Sequence, residues 1–169
     1  MACSVTLTSY SLSECFSSKG GLKTIWLAPY VKDAFVIGSG DTVTGFKSGI
    51  TWYKQEVWRN TTSLESTLNV DDNSGLNEVT TLLTIVYRKM DKENRMNANA
   101  IAKGDFIAVA EDANGEFYAL GVEEPCRSSS GTGTTGTNRE DSNRFELQIE
   151  DHNSKYPQHL DKAASDLLP

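Results

Sequence analysis

The chain has 169 residues, 38% of them hydrophobic, and is rich in Gly, Ser, Thr and Asn. That balance suits one β-rich domain with polar loops better than a helical bundle. Its 16 Lys and Arg against 23 Asp and Glu leave a formal charge of −7, which repels phosphate backbones and argues against sequence-specific reading of nucleic acid. No window approaches the roughly 18 apolar residues that span a membrane. Met1-Ala2-Cys3-Ser4-Val5 lacks the basic and apolar regions of a secretory signal. Cys3, Cys15 and Cys126 are odd in number and far apart, and read as free thiols of a reducing cytoplasm.

In chain order, residues 1–21 are polar and serine-rich and read as an N-terminal arm, with a short turn around Ser13-Glu14-Cys15-Phe16. Leu22 to Ala28, β-branched and aromatic and stopped by Pro29, predicts a strand, and Asp33 to Ile37 a second short one. Gly49 to Arg59 alternates, with Ile50, Trp52, Lys54, Glu56 and Trp58 on one face, as expected of a strand at a subunit boundary or a sheet edge. Ser63–Val70 and Val79–Tyr87, joined by the turn Asp71-Asp72-Asn73-Ser74-Gly75, predict a hairpin. A helix follows over 91–103: Asp91 is the N-cap, Gly104 the C′ residue, and Met96, Ala100 and Ile101 form its docking stripe.

Phe106–Ala110 and Phe117–Val122, on either side of Asp112-Ala113-Asn114-Gly115, predict a second hairpin, and residues 22–122 thus form the β core. Residues 123–142 read as a Gly/Ser/Thr-rich loop, 143–150 as a closing strand with Phe145, Leu147 and Ile149 inward, and 151–169 as a tail with one short turn. The expectation is a single domain over 1–169: a β-sandwich or partly closed barrel of about seven strands with one flanking helix.

Gly131-Thr132-Gly133-Thr134-Thr135-Gly136 matches a dinucleotide fingerprint in letters. The apolar helix that would hold the pyrophosphate does not follow it, so it reads as surface loop. His152 and His159 both sit in the C-terminal tail, where neither a nucleophile's base nor a zinc ligand set is well held. The carboxylate pairs Asp71-Asp72 and Glu123-Glu124 read as solvated loop charges, and Trp26, Trp52, Tyr53 and Trp58 as core or interface aromatics. No catalytic, cofactor-binding or metal-ligating residue is expected, and the chain reads as a structural protein rather than an enzyme. A small β-barrel hydrolase or ligand-binding module is the remote alternative.

Gly20-Gly21-Leu22-Lys23-Thr24-Ile25-Trp26-Leu27-Ala28, then Thr80 to Met90 leading into Asp91-Lys92-Glu93-Asn94-Arg95, then Ile101 to Val109 with Asp112 to Gly121, fall in an order that resembles the major tail (tail-tube) proteins of tailed bacteriophages. A Gly/Thr-rich loop and a last strand, here Ser128–Asn138 and Phe145–Ile149, complete the resemblance over about residues 20–150. It implies a β-sandwich or barrel with a flanking helix, made in the host cytoplasm and assembled in the virion as stacked, usually hexameric rings. Its partners would be copies of itself and other tail or connector proteins, and DNA would pass without specific binding. A head-tail connector, tail terminator or capsid-decorating role is the alternative within the same particle.

Overall fold

The computed structural model describes residues 7, 9, 18–58, 61–71 and 73–169. They form β1 (Leu22–Pro29), β2 (Phe35–Ile37), β3 (Val43–Phe46), β4 (Tyr53–Glu56), β5 (Ser63–Asp71) and β6 (Leu76–Arg88). Then follow α1 (Lys92–Lys103), β7 (Asp105–Asp112), β8 (Phe117–Leu120), β9 (Cys126–Thr134), β10 (Arg144–Asn153), β11 (Gln158–His159) and α2 (Lys162–Ser165). The expected turn at Ser13–Phe16, and Cys3 and Cys15, lie outside the described residues.

β1 and β7 pair antiparallel from Leu22↔Asp112 to Pro29↔Phe106, and β8 returns along β7 through a turn in which Gly115 takes φ 89. Both strands are buried on both faces, which is why they read as continuous apolar runs rather than as alternation. One face, with Ile25, Leu27, Ala108, Ala110 and Leu120, packs against Leu83 and Ile85 of β6, Leu147 and Ile149 of β10, and Ala98 and Ile101 of α1. The other, with Trp26, Ala28, Ile107, Val109 and Ala119, packs against Phe35 and Val43 of the β2–β3 hairpin and against Leu160 and Ala164.

The larger sheet runs β11-β8-β7-β9-β10-β6-β5, with β1 and then β4 attached to the other side of β7. It curls over the first core as a partly closed, mainly antiparallel β barrel or sandwich. The seam between β4 and β6 is bridged by side chains: Tyr87 Oη donates to Gln55 Oε1 at 2.7 Å. Beside it the Arg88 guanidinium lies 3.8 Å from the Trp58 ring centroid, a cation–π contact.

Several expectations need correction. The segment over 123–142 is not all loop: residues 126–134 form β9, paired with β10 from Glu150↔Arg127 to Arg144↔Thr134. Gly133 and Gly131 lie opposite Phe145 and Leu147, and a Cβ on them would come 2.9 Å from Phe145 Cε1 and 2.8 Å from Leu147 Cδ2. The partner strand supplies the apolar surface that β9 lacks, so the glycines are what let those side chains lie over it. The closing strand runs on to Asn153, and the tail then adds β11 and α2. The alternating run 49–59 narrows to the four residues of β4.

The helix begins as expected, with Asp91 Oδ1 accepting from the Asn94 N–H at 2.8 Å. Its buried face is Ala98 and Ile101, with half-buried Asn94, whose side chain donates to the carbonyls of Arg88 and Lys89 at 3.0 and 3.1 Å. Met96 and Ala100 are exposed; the true stripe is the i, i+4, i+7 set 94, 98, 101. Gly104 is extended at φ −100, not left-handed. Its need for glycine is steric, because a Cβ there would come 2.5 Å from the Phe106 ring.

Candidate assembly interface

The β5–β6 hairpin outgrows the body. Its register runs from Ser63↔Thr84 to Asp71↔Leu76, and the pairs near the body are packed: Leu83 and Thr81 are buried opposite Leu64 and Ser66, with a 2.8 Å hydroxyl contact between Ser66 and Thr81. Beyond Val79 the cover ends. Leu68, Val70 and Leu76 are 46%, 60% and 57% exposed. The turn itself is firmly made, with Asp71 accepting from the Asn73 N–H at 2.9 Å and from Ser74 Oγ at 2.8 Å. Those bonds, Ser74's first, hold the Asp71 carboxyl below its ordinary value. The end of the hairpin thus leaves Leu68 and Val70 uncovered on its inward face and Leu76 on the opposite face.

Three strands end the larger sheet with one partner each among the described residues: β5 pairs only with β6, β4 only with β1, and the two-residue β11 only with β8. The face of β9, β10, β6 and β5 that points away from the core is mostly polar, with Leu82 and Val86 of β6 set among the polar side chains. It carries Ser130 and Thr132, Glu146, Gln148 and Glu150, Thr80 and Thr84, and Glu65 and Thr67, none of which joins either hydrophobic cluster. Arg144 answers Glu146 within that row at 3.1 Å. His152 Nδ1 lies 2.9 Å from Glu78 Oε1 and ties the root of the hairpin to β10.

At the other end of β6 a cleft of about 260 Å³ opens between β4, the end of β1 and α1, lined by Leu27, Pro29, Tyr53, Tyr87, Ile101 and Phe106 among others. Burial pushes the Tyr87 phenol up to about 12, so it remains a hydrogen-bond donor to Gln55 at any ordinary pH. Tyr53, Trp58 and Met96 stand 57%, 55% and 59% exposed.

The residues weighed for chemistry disperse. His152 joins Glu78, whereas His159 lies tilted against Tyr118 with ring centroids 4.7 Å apart and 3.6 Å from Glu116. Glu123 accepts from the Ser154 N–H at 2.9 Å and pins the start of the tail. Trp26 is buried and Trp52 packs in the Phe35–Phe46 cluster, while Tyr53 and Trp58 are surface residues. Gly131 and Gly133 belong to β9.

One polar site was not anticipated. Asp151, expected at the start of a tail, is 1% exposed; its Oδ1 accepts from the Gly121 N–H at 3.0 Å and lies 3.8 Å from Cys126 Sγ. Burial raises the Asp151 carboxyl above its ordinary range, and burial followed by the Asp151 charge raises the Cys126 thiol well above its own. The available signal was position: 151 continues the inward row 145, 147, 149 of β10.

No protein-family model matches the chain, and no curated protein matches it either.

Proposed function

We propose that the chain is a structural subunit that closes into rings, stacked as the tube of a tailed-phage tail. DNA passes through that tube without being held. The observation that carries this reading is the open end of the sheet: β5 has a partner on one side only among the described residues, and its hairpin runs past the body with apolar side chains uncovered. Monomers blunt such an edge with Lys, Pro or a bulge, yet residues 61–71 contain no Lys, Arg or Pro. An edge left pairable in this way suits a strand that gains its missing partner from a neighbouring copy, and head-to-tail contacts of that kind close rings.

The polar outward face supports the same reading. A wall of Ser, Thr, Gln and Glu side chains, with Arg144 neutralised by Glu146, offers a phosphate backbone little to bind. Negative-stain microscopy of the purified full chain should show rings of one diameter and stacks of them. Duplex DNA should fail to shift on a gel even at low salt. A chain that sediments as a monomer at high concentration overturns the proposal; rings that never stack assign it to a connector, terminator or decoration role.

A further inference from the structure

The chain enters the body at one fixed point. Lys19 is held on the β7–β8 turn by the Asn114 side chain, whose Oδ1 accepts from the Lys19 N–H at 2.9 Å and whose Nδ2 donates to the Lys19 carbonyl at 3.0 Å. The Ala113 N–H adds a bond to the Gly21 carbonyl at 3.0 Å. An amide that both gives and takes a hydrogen bond on one residue stands in for a neighbouring strand. Ser18 and Leu22 line a groove of about 490 Å³ that also meets Thr62, Leu64 and Ser66 at the start of β5. Thr62 is 6% exposed, yet its Oγ1 has no hydrogen-bond partner among the described residues. From Ser63 to Asp71 the edge of β5 is open on one side among those residues. Seventeen residues precede Ser18, a reach of up to roughly 55 Å at ~3.3 Å each. Within that arm Leu7 is 87% exposed, so its own molecule leaves it uncovered. Ser4-Val5-Thr6-Leu7-Thr8-Ser9-Tyr10-Ser11-Leu12 is nine residues long, as β5 is, with no charge and no Pro. Its β-branched and aromatic content suits a strand, and an uncharged strand meets no repulsion from Glu65 and Asp71.

We propose that residues 4–12 of one copy add as an extra strand to the free edge of β5 in a neighbouring copy. The contact rests on the assembly reading above and names the segment that supplies the missing partner of β5. The arm's backbone fills the open N–H and C=O groups along Ser63–Asp71, and Thr62 Oγ1 gains a partner where that edge begins. Val5 and Leu7, two apart and so on one face of a strand, lie beside Leu68 and Val70. Main-chain bonds supply the adhesion and the alternate side chains the register. Donor arm and acceptor edge are different surfaces, so the contact is heterologous and passes from copy to copy. The Asn114 latch fixes where each arm leaves its body, so that every copy hands its arm on in the same direction.

Full-length variants test this. Thr6→Pro with Thr8→Pro removes two backbone donors from the arm and leaves the body untouched. It should raise the concentration at which rings form by about tenfold, the effect of two lost hydrogen bonds, with circular dichroism unchanged. Thr6→Val with Thr8→Val keeps the donors and the strand preference and should assemble like the wild type. A crosslink reads the contact directly. Leu7→Cys in one chain and Leu68→Cys in another, both with Cys3→Ser and Cys15→Ser, are mixed and oxidised. A covalent dimer with one chain of each kind should form, bridged between positions 7 and 68 by mass spectrometry. Rings that form normally with the Pro pair, a mixture that yields no such dimer, or a doubly substituted chain that closes only on itself overturns the arm exchange while the rings persist. A wild-type chain that forms no rings overturns the assembly reading and the exchange with it.

Discussion

Asp151 shows at the scale of one residue how burial and hydrogen bonding set a charge state. The folded chain holds its carboxyl proton more tightly than the unfolded chain does, because burial disfavours the anion and the bonds from the Gly121 N–H, Asn153 and Cys126 offset this only in part. Between the ordinary carboxylate value near 3.9 and the raised folded value, the native state binds more protons, so this residue lowers stability as pH rises through that window. Asp151→Asn keeps an acceptor for Gly121 and removes the ionisation. Its urea midpoint should fall less between pH 4 and pH 7 than that of the wild type, and parallel curves would show that Asp151 titrates normally. Asp151→Ala removes the acceptor too, and an unpaired buried N–H costs about 1–3 kcal/mol at any pH. Gly121 cannot shift to find another partner, since it holds φ 82 against the backbone of Phe106 and Ile107.

At the scale of an element, β9 is where sequence and structure part most clearly. Strands whose own side chains carry the signal were legible: Leu22–Ala28, the hairpins at 63–87 and 106–122, and the alternating Arg144–Glu150 all form where periodicity and turn residues place them. Asp91 announced its helix, though not which side of it is buried. β9 could not be read that way, because Cys126–Thr134 has almost no apolar side chain, and its pairing is decided by Phe145 and Leu147 on the partner. The candidate interface was half legible. The hairpin was foreseen, but its projection beyond the body depends on where the other strands stop. Propensity says that Gly133→Val should strengthen a strand; geometry says the opposite, since a Cβ there meets Phe145 Cε1 at 2.9 Å and Met90 Cε at 3.2 Å. A loss of about 1–3 kcal/mol in chemical denaturation is expected, with part of it recovered on Phe145→Leu if the clash is the cause. A stabilised Gly133→Val would mean that the glycine is dispensable and that Phe145 and Met90 move aside at little cost.

The whole molecule is organised by one wall, β1 with β7 and β8, that has a core on each side, and the second core is completed by the far end of the chain. Leu160 N–H donates to Phe117 O at 3.0 Å, Asp161 N–H to Val43 O at 2.9 Å, and Trp26 Nε1 to Pro169 O at 3.0 Å. Lys155 and Gln158 reach Asp41 in the β2–β3 turn at 3.2 and 2.6 Å. All but the Leu160–Phe117 bond join segments more than a hundred residues apart, closing the end of the chain over Trp26 and Val43. Removing residues 161–169 takes away Ala164, which is fully buried, half-buried Leu168 and the Trp26 hydrogen bond. Lost burial and one unpaired indole N–H together amount to about 3 kcal/mol, or roughly 6–12 °C in melting temperature for a domain of this size. The first core and the β5–β6 hairpin lie on the other side of the wall, so the shortened chain should still assemble below its new melting point. Its tryptophan emission should also shift to the red by the part that Trp26→Phe removes. A truncated chain that melts within 2 °C of the full one would show that β2, β3 and the wall are sufficient by themselves, and that the closing segment is a passenger on the second core.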